Sequence, residues 1–234
     1  MDTRTRHALK KDKFALAAAQ SASWVGEHRS SVLRWTITGV VVAAIVIGGL
    51  ITWAMRSSAA TAALGAAMDI YNAPLTMAGQ PAMPGDYPTA AARSKAANEK
   101  FVAAAHQYGW LKQGEMARYF AGITYQELGQ NAQAEKDLKA VAGSWDRNLA
   151  DLAKVALANL YHQTKRDSQA VDLYNQVIAK PSTTVPATVA QLDLAGLYAS
   201  EGKVDEARAL WAKVQDADKQ GAAGAIAAQK LAAR

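Results

Sequence analysis

The chain contains no cysteine. That excludes disulfides, thiol nucleophiles, Cys-ligated zinc and membrane attachment through a lipidated N-terminal Cys. It leaves the compartment open, since a chain without thiols is stable in either redox state. Proline, with 6 residues, and the aromatics, at 7%, are also scarce, and alanine is abundant. This composition favours helices. Catalytic signatures are missing as well: no G-x-x-x-x-G-K-[ST] phosphate loop, H-E-x-x-H helix or G-x-S-x-G elbow occurs. The histidines (His7, His28, His106 and His162) are scattered, and neither His106 nor His162 has a carboxylate at ligand spacing. No catalytic residue, metal site or cofactor is therefore expected, and the chain reads as a non-enzyme.

A formal charge of +6 invites a nucleic-acid reading, which the distribution of charge removes. Residues 1–56 carry eight Lys and Arg against three acids, a net +5, leaving 18 basic and 17 acidic residues, a net +1, for the rest. A nucleic-acid module concentrates positive charge on its folded domain. Here the charge sits beside a hydrophobic run, so it reports topology and no nucleic-acid partner is expected.

That run, residues 35–55, reads WTITGVVVAAIVIGGLITWAM without a charged side chain. As a helix it spans roughly 32 Å, enough for a hydrocarbon core of about 30 Å. Trp35 and Trp53 fall near its ends, with Arg34 and Arg56 just outside, the pattern of a membrane interface. Two other readings are weaker: a buried helix of a soluble domain is usually shorter and interrupted, and a cleaved signal has a shorter apolar core. Lys and Arg precede the run far more than they follow it, which predicts a cytoplasmic N-terminus. Residues 1–34 form a basic tail in which 8–29 are either an interfacial amphipathic helix or disordered. Small residues at Gly39, Ala43, Ala44 and Gly48 have the spacing of a helix–helix contact, although such residues are common in membrane helices anyway.

After residue 110 the chain repeats itself. A small residue is followed by an aromatic three later, an alanine nine further on and a bulky residue four after that. The copies are Gly122, Tyr125, Ala134 and Leu138; Ala158, Tyr161, Ala170 and Tyr174; and Ala195, Tyr198, Ala207 and Trp211. Val141, Val177 and Val214 follow in register. Equivalent positions recur after 36 and then 37 residues, with turn signals at Gly129 and Gly202 and Lys165-Arg166-Asp167 in the middle copy. The pattern resembles the tetratricopeptide repeat (TPR), a pair of antiparallel helices of about 34 residues. It implies an all-α fold: one N-terminal transmembrane helix, then a TPR-like right-handed helical solenoid.

The expected division is a tail at 1–34, a span at 35–55, a linker with a degenerate first repeat at 56–114, three repeats at 115–220 and a capping helix at 221–234. In the degenerate repeat, a helix at 58–72 and one containing Ala97, Phe101 and Ala104 flank an insertion at 74–88 whose Pro and Gly bar regular helix. The residues in excess of that unit of about 34 are expected in connections, for example at 180–186.

Such a solenoid binds in its concave face, lined by the first helix of each repeat. The resemblance puts Tyr119, Ile123 and Gln126 there from the first repeat, Val155, Asn159 and His162 from the second, and Leu192 and Gly196 from the third. The lining lacks the Lys and Asn set that grips a terminal carboxylate, so it suits an amphipathic helix or extended peptide. These side chains would equally serve as packing between repeats.

A basic N-terminus with Arg6-His7-Ala8-Leu9-Lys10-Lys11-Asp12-Lys13-Phe14, one span and then these repeats is similar to the YfgM-type ancillary subunits of the bacterial Sec translocon. The resemblance covers nearly the whole chain but rests on architecture. It implies a single-pass bacterial inner-membrane protein with a periplasmic repeat domain, binding Sec translocon subunits, periplasmic chaperones or their clients. The alternative is a self-assembling scaffold of an envelope complex, a homo-oligomer that handles no clients.

Overall fold

A computed structural model describes residues 29–76 and 83–233. The motif at 6–14, His7, His28 and nearly all of the expected 8–29 helix lie outside the described residues. Within them, every regular element is a helix, and the only ladder contact described is an isolated bridge between Leu75 and Tyr87. The chain divides into two units, Met1–Met55 and Arg56–Arg234, taken separately below.

Helix α1 (Arg29–Tyr71) is 43 residues long. It begins before Trp35 and does not stop at Met55, so the separate helix expected at 58–72 is its continuation. The stretch 56–62 (RSSAATA) offers neither Pro nor a left-handed Gly to break it. In the first unit, α1 is long and apolar enough to cross a membrane. Trp35 is 77% exposed and Ile45 68%, so among the described residues this segment is not covered. The hydroxyls of Thr38 and Thr52 donate to the carbonyls of Arg34 and Gly48, which satisfies them within the helix.

In the second unit, the end of α1 is followed by α2 (Ala90–Tyr108), α3 (Lys112–Glu127), α4 (Asn131–Ala142), α5 (Arg147–Gln163), α6 (Asp167–Ala179), α7 (Ala187–Ser200), α8 (Val204–Ala217) and α9 (Ala222–Ala232). From α2 onward, each helix packs chiefly on its neighbours in sequence. Pairing is antiparallel in α3–α4, where Gly122 faces Leu138 across the turn, and in α5–α6, where Tyr174 donates to Asn159 Oδ1 at 2.6 Å.

The repeated residues occupy the interfaces of these pairs. Ala134, Ala158, Ala170, Ala195 and Ala207 are fully buried, as are Leu138, Val177 and Val214, while Tyr174 and Trp211 fill the space beside them. The reason for a small residue at position 122 is direct: a Cβ there would lie 2.8 Å from Leu138 Cγ.

The turns repeat too. Gly129, Lys165 and Gly202 all take positive φ (71°, 62° and 77°), and the next amide returns to a tyrosine carbonyl each time: Gln130 to Tyr125, Arg166 to Tyr161, Lys203 to Tyr198. These are the six-to-one bonds of a Schellman cap. The departure from glycine in the middle copy is therefore a change of residue without a change of turn.

The connection at 180–186 is longer than that at 143–146, and Val185 within it is buried. Before α2, the carbonyls of Pro74 and Tyr87 accept from Tyr87 and Thr76, and Thr89 caps the helix through Ala92. The C-terminal half of α1 buries Ala67 against Ala97, Phe101 and Ala104, with Tyr71, Phe101 and Phe120 in a ring cluster. At the other end, α9 covers Trp211 and Val214 with Ala223 and Ala227.

Candidate binding groove

Five residues assigned to the concave face come together. Tyr119, Ile123 and Gln126 on α3 and Val155 and Asn159 on α5 line one hollow of about 280 Å³, with Leu152, Ala156 and Gln163. They meet because α3 and α5 are first helices of successive pairs and run side by side, each presenting residues one turn apart. Every side chain in the lining is uncharged.

The apolar members also pack. Ile123, Val155 and Leu152 lean on the main core, and Tyr119 lies edge-on to Phe120 at 5.2 Å. Burial pushes the Tyr119 phenol up from its ordinary pKa, so it stays neutral throughout the physiological range. Packing and lining are thus two roles of the same residues.

The amides are held in set orientations. Asn159 Oδ1 accepts from the Tyr174 hydroxyl, which directs its NH2 elsewhere. Gln126 Nε2 donates to Gln163 Oε1 at 3.0 Å, bridging α3 to α5.

Three expected lining residues, Leu192, Gly196 and His162, do not line this hollow. Leu192 packs into the separate core of α7–α9, and Gly196 is exposed with nothing within 4 Å of where a Cβ would stand. His162 is the clearer correction, because it does have a carboxylate partner. Its Nδ1 lies 2.5 Å from Asp167 Oδ1, and its Nε2 lies 3.1 Å from Ser200 Oγ. Spacing missed this pair because Asp167 is across the α5–α6 turn, on a different helix.

Ser, His and Asp in that order invite comparison with a nucleophilic triad. The surroundings oppose it. Ser200 ends α7, where the helix dipole is negative, and its hydroxyl also donates to Leu197 O at 2.7 Å. The amides of Glu201, Gly202 and Lys203 are committed to carbonyls of the same helix end, so none is left to hold an oxyanion. What the cluster does is tie α5, α6 and α7 together. Among the described residues, no three His, Asp or Glu side chains are placed to hold a metal ion.

Sequence reasoning missed Gln163 and Leu152. Gln163 lies one turn past Asn159, and the face turns toward it rather than toward His162; an amide at that step was the available signal. At the ends of the apolar run, Arg34, Trp53 and Arg56 are exposed along with Trp35. No protein-family model, curated protein or solved structure matches this chain.

Proposed function

We propose that this protein is a membrane-anchored, non-catalytic TPR-type adaptor that binds a segment of another protein in the α3–α5 hollow. The observation that carries the reading is the meeting of Tyr119, Ile123, Gln126, Val155 and Asn159 in one hollow. These are positions that the likeness to the TPR assigns to the concave face. An apolar floor with a few oriented amides suits an extended peptide or one face of an amphipathic helix. It suits a carboxylate or phosphate poorly, because no cation lines it.

Residues 35–55 are the anchor, with the basic tail on the cytoplasmic side and the repeats in the periplasm of a bacterial inner membrane. The partners in this reading are those implied by the likeness to translocon-associated repeat proteins: Sec translocon subunits, periplasmic chaperones, or the clients passing between them.

Site-specific photo-crosslinking in native membranes tests it, with probes at Val155 and Asn159 in the hollow and Gly196 outside it. Adducts with translocon subunits, chaperones or exported clients from the two hollow positions, and not from Gly196, are expected. Adducts only with further copies of this chain would replace the adaptor with a self-assembling scaffold.

A further inference from the structure

The helix array has two edges, and they are built differently. One carries the tight turns at Gly129, Lys165 and Gly202. The other carries the connections at 109–111, 143–146, 180–186 and 218–221. The connections are tied to one another by side chains: Lys112 Nζ to Asp146 Oδ2 at 2.8 Å, Ser144 Oγ to Glu115 Oε2 at 2.7 Å, and Arg147 Nη2 to Lys180 O at 2.6 Å.

This connection edge packs on the residues that follow the apolar run in sequence. Gln113 Nε2 donates to Ser57 Oγ and Thr61 Oγ1, at 3.3 and 3.1 Å, and Ala60 is buried with Tyr108 and Leu111. Ala60 is four residues past Arg56, a helical rise of about 6 Å. A headgroup layer is roughly 5–8 Å deep on each side of the hydrocarbon. Residues 57–61 follow Arg56 by one to five positions and a chain reaches at most about 3.5 Å per residue, so the 109–111 connection that packs on them is tethered close in sequence to the end of the apolar run.

The residues at this edge fit such a surface. Trp110 is 66% exposed and Trp145 fully so, on the two connections that the Lys112–Asp146 pair joins. A fully exposed indole has no role in the fold. Among the described tryptophans, Trp35 and Trp53 flank the apolar run, Trp211 is buried, and the other exposed pair is this one. Indoles favour the bilayer interface.

Cations lie at the same connections: Lys112 and Arg147 begin the helices that follow them, and Lys180 opens the next connection. A hollow of about 400 Å³ is lined by Arg147, Lys154, Lys180, Gln176 and Ala179. The neighbouring acids pair with part of this charge: Asp146, which caps α5, with Lys112, and the buried Asp151 with Lys154 at 3.3 Å and more loosely with Arg147 at 4.0 Å. Lys112 and Arg147 are more than half exposed.

We propose that the connection edge, through Trp110, Trp145 and the cations Lys112, Arg147 and Lys180, seats the repeat domain on the anionic headgroups of its own membrane. The proposal rests on the reading of residues 35–55 as a span. Seating fixes the domain against the bilayer and leaves the turn edge away from it.

The test is tryptophan quenching of the full chain, reconstituted into vesicles of phosphatidylcholine and phosphatidylglycerol with brominated acyl chains. The proteins compared are wild type, W53F and W110F/W145F. The exposed indoles can be replaced without disturbing the core, and circular dichroism verifies the fold of each variant. Quenching is expected from the span, where W53F removes the share of Trp53 and leaves that of Trp35, and from the edge, where W110F/W145F removes it. The edge share should weaken when phosphatidylglycerol is omitted or salt is raised.

Quenching reduced by W53F but unchanged by W110F/W145F overturns the seating and leaves the span intact. Edge indoles that are quenched only after a protein partner is added overturn it equally. An edge component indifferent to phosphatidylglycerol and to salt overturns the role given to the cations. No quenched component attributable to Trp53 removes the span itself, and with it the premise.

Discussion

Two glycine-to-alanine substitutions of identical chemistry should have opposite effects. Gly114 is the third residue of α3, and a Cβ there would lie 1.9 Å from Tyr108 O and 2.2 Å from Tyr108 C. Ordinary non-bonded contacts need about 3.5 Å, so the carbonyl would have to move by well over 1 Å. It cannot do so freely: Tyr108 is 7% exposed and buried with Ala60 and Leu111. Overpacking of this kind costs about 1–3 kcal/mol or more, against a helix-propensity gain of up to about 1 kcal/mol. G114A should therefore lose about 1–2 kcal/mol net. Gly196, inside α7, is exposed with nothing near it, so G196A should keep the whole gain of about 0.5–1 kcal/mol. For a domain of this size, 1 kcal/mol moves Tm by about 2–4 °C. Thermal unfolding of the full chain in mild detergent, followed by circular dichroism, reads both shifts. A G114A protein as stable as wild type, or G196A destabilised alongside it, would refute the packing of the α2–α3 connection.

Three further outcomes follow from single residues. Arg166 and Lys139 hydrogen-bond to Glu135 and hold its pKa down to about 2, from an ordinary 4.5. Because the folded value lies below the unfolded one, the stabilisation is complete above about pH 5 and fades as pH falls toward 2; the Tm gap between wild type and E135Q should close over that window. Burial raises the Asp193 pKa instead, which disfavours its ionised form in the fold. Its contribution is present at low pH and lost as pH rises through the raised value, so D193N should melt higher than wild type at neutral pH and lose that advantage in acid. Lys165 occupies a left-handed turn position at φ 62°. K165G should stabilise by about 0.5–1 kcal/mol in urea unfolding, since the relief of left-handed strain exceeds glycine's entropic cost.

What the sequence disclosed was periodic. The alanines, tyrosines and valines recurring at 36 and 37 residues mark the contacts between paired helices, because packing repeats wherever geometry repeats. The capping helix behaves likewise: Ala222–Ala232 is set by the apolar face of α8 that it must cover. Features that depend on one pair of atoms were not legible. The continuity of α1 through Arg56 depends on the absence of a stop signal, and an absence fixes no boundary. The His162–Asp167–Ser200 link joins three helices, so no local spacing announces it. Leu192 has the periodicity of a groove residue, yet α9 and α8 supply it with a core instead. Periodicity gives a residue's face, while its role depends on what the next element brings to that face.

That distinction bears on how the hollow would recognise a ligand. Its amides are oriented by residues outside any face pattern: Tyr174 holds Asn159 from behind, and Gln126 and Gln163 hold each other. Immobilising a rotamer-rich side chain on binding costs about 0.5–1.5 kcal/mol, and these three bear less of that cost because they are already held. The remaining NH2 of Asn159, the Oε1 of Gln126 and the Nε2 of Gln163 combine donors with an acceptor. A peptide backbone offers the same combination, at every residue and whatever its side chains. A hollow that grips main chain through fixed amides and side chains through an apolar floor would discriminate weakly between sequences and strongly against charge. An adaptor that meets many partners in extended form needs that kind of selectivity, whereas a site for one folded surface would be expected to carry charges matched to it.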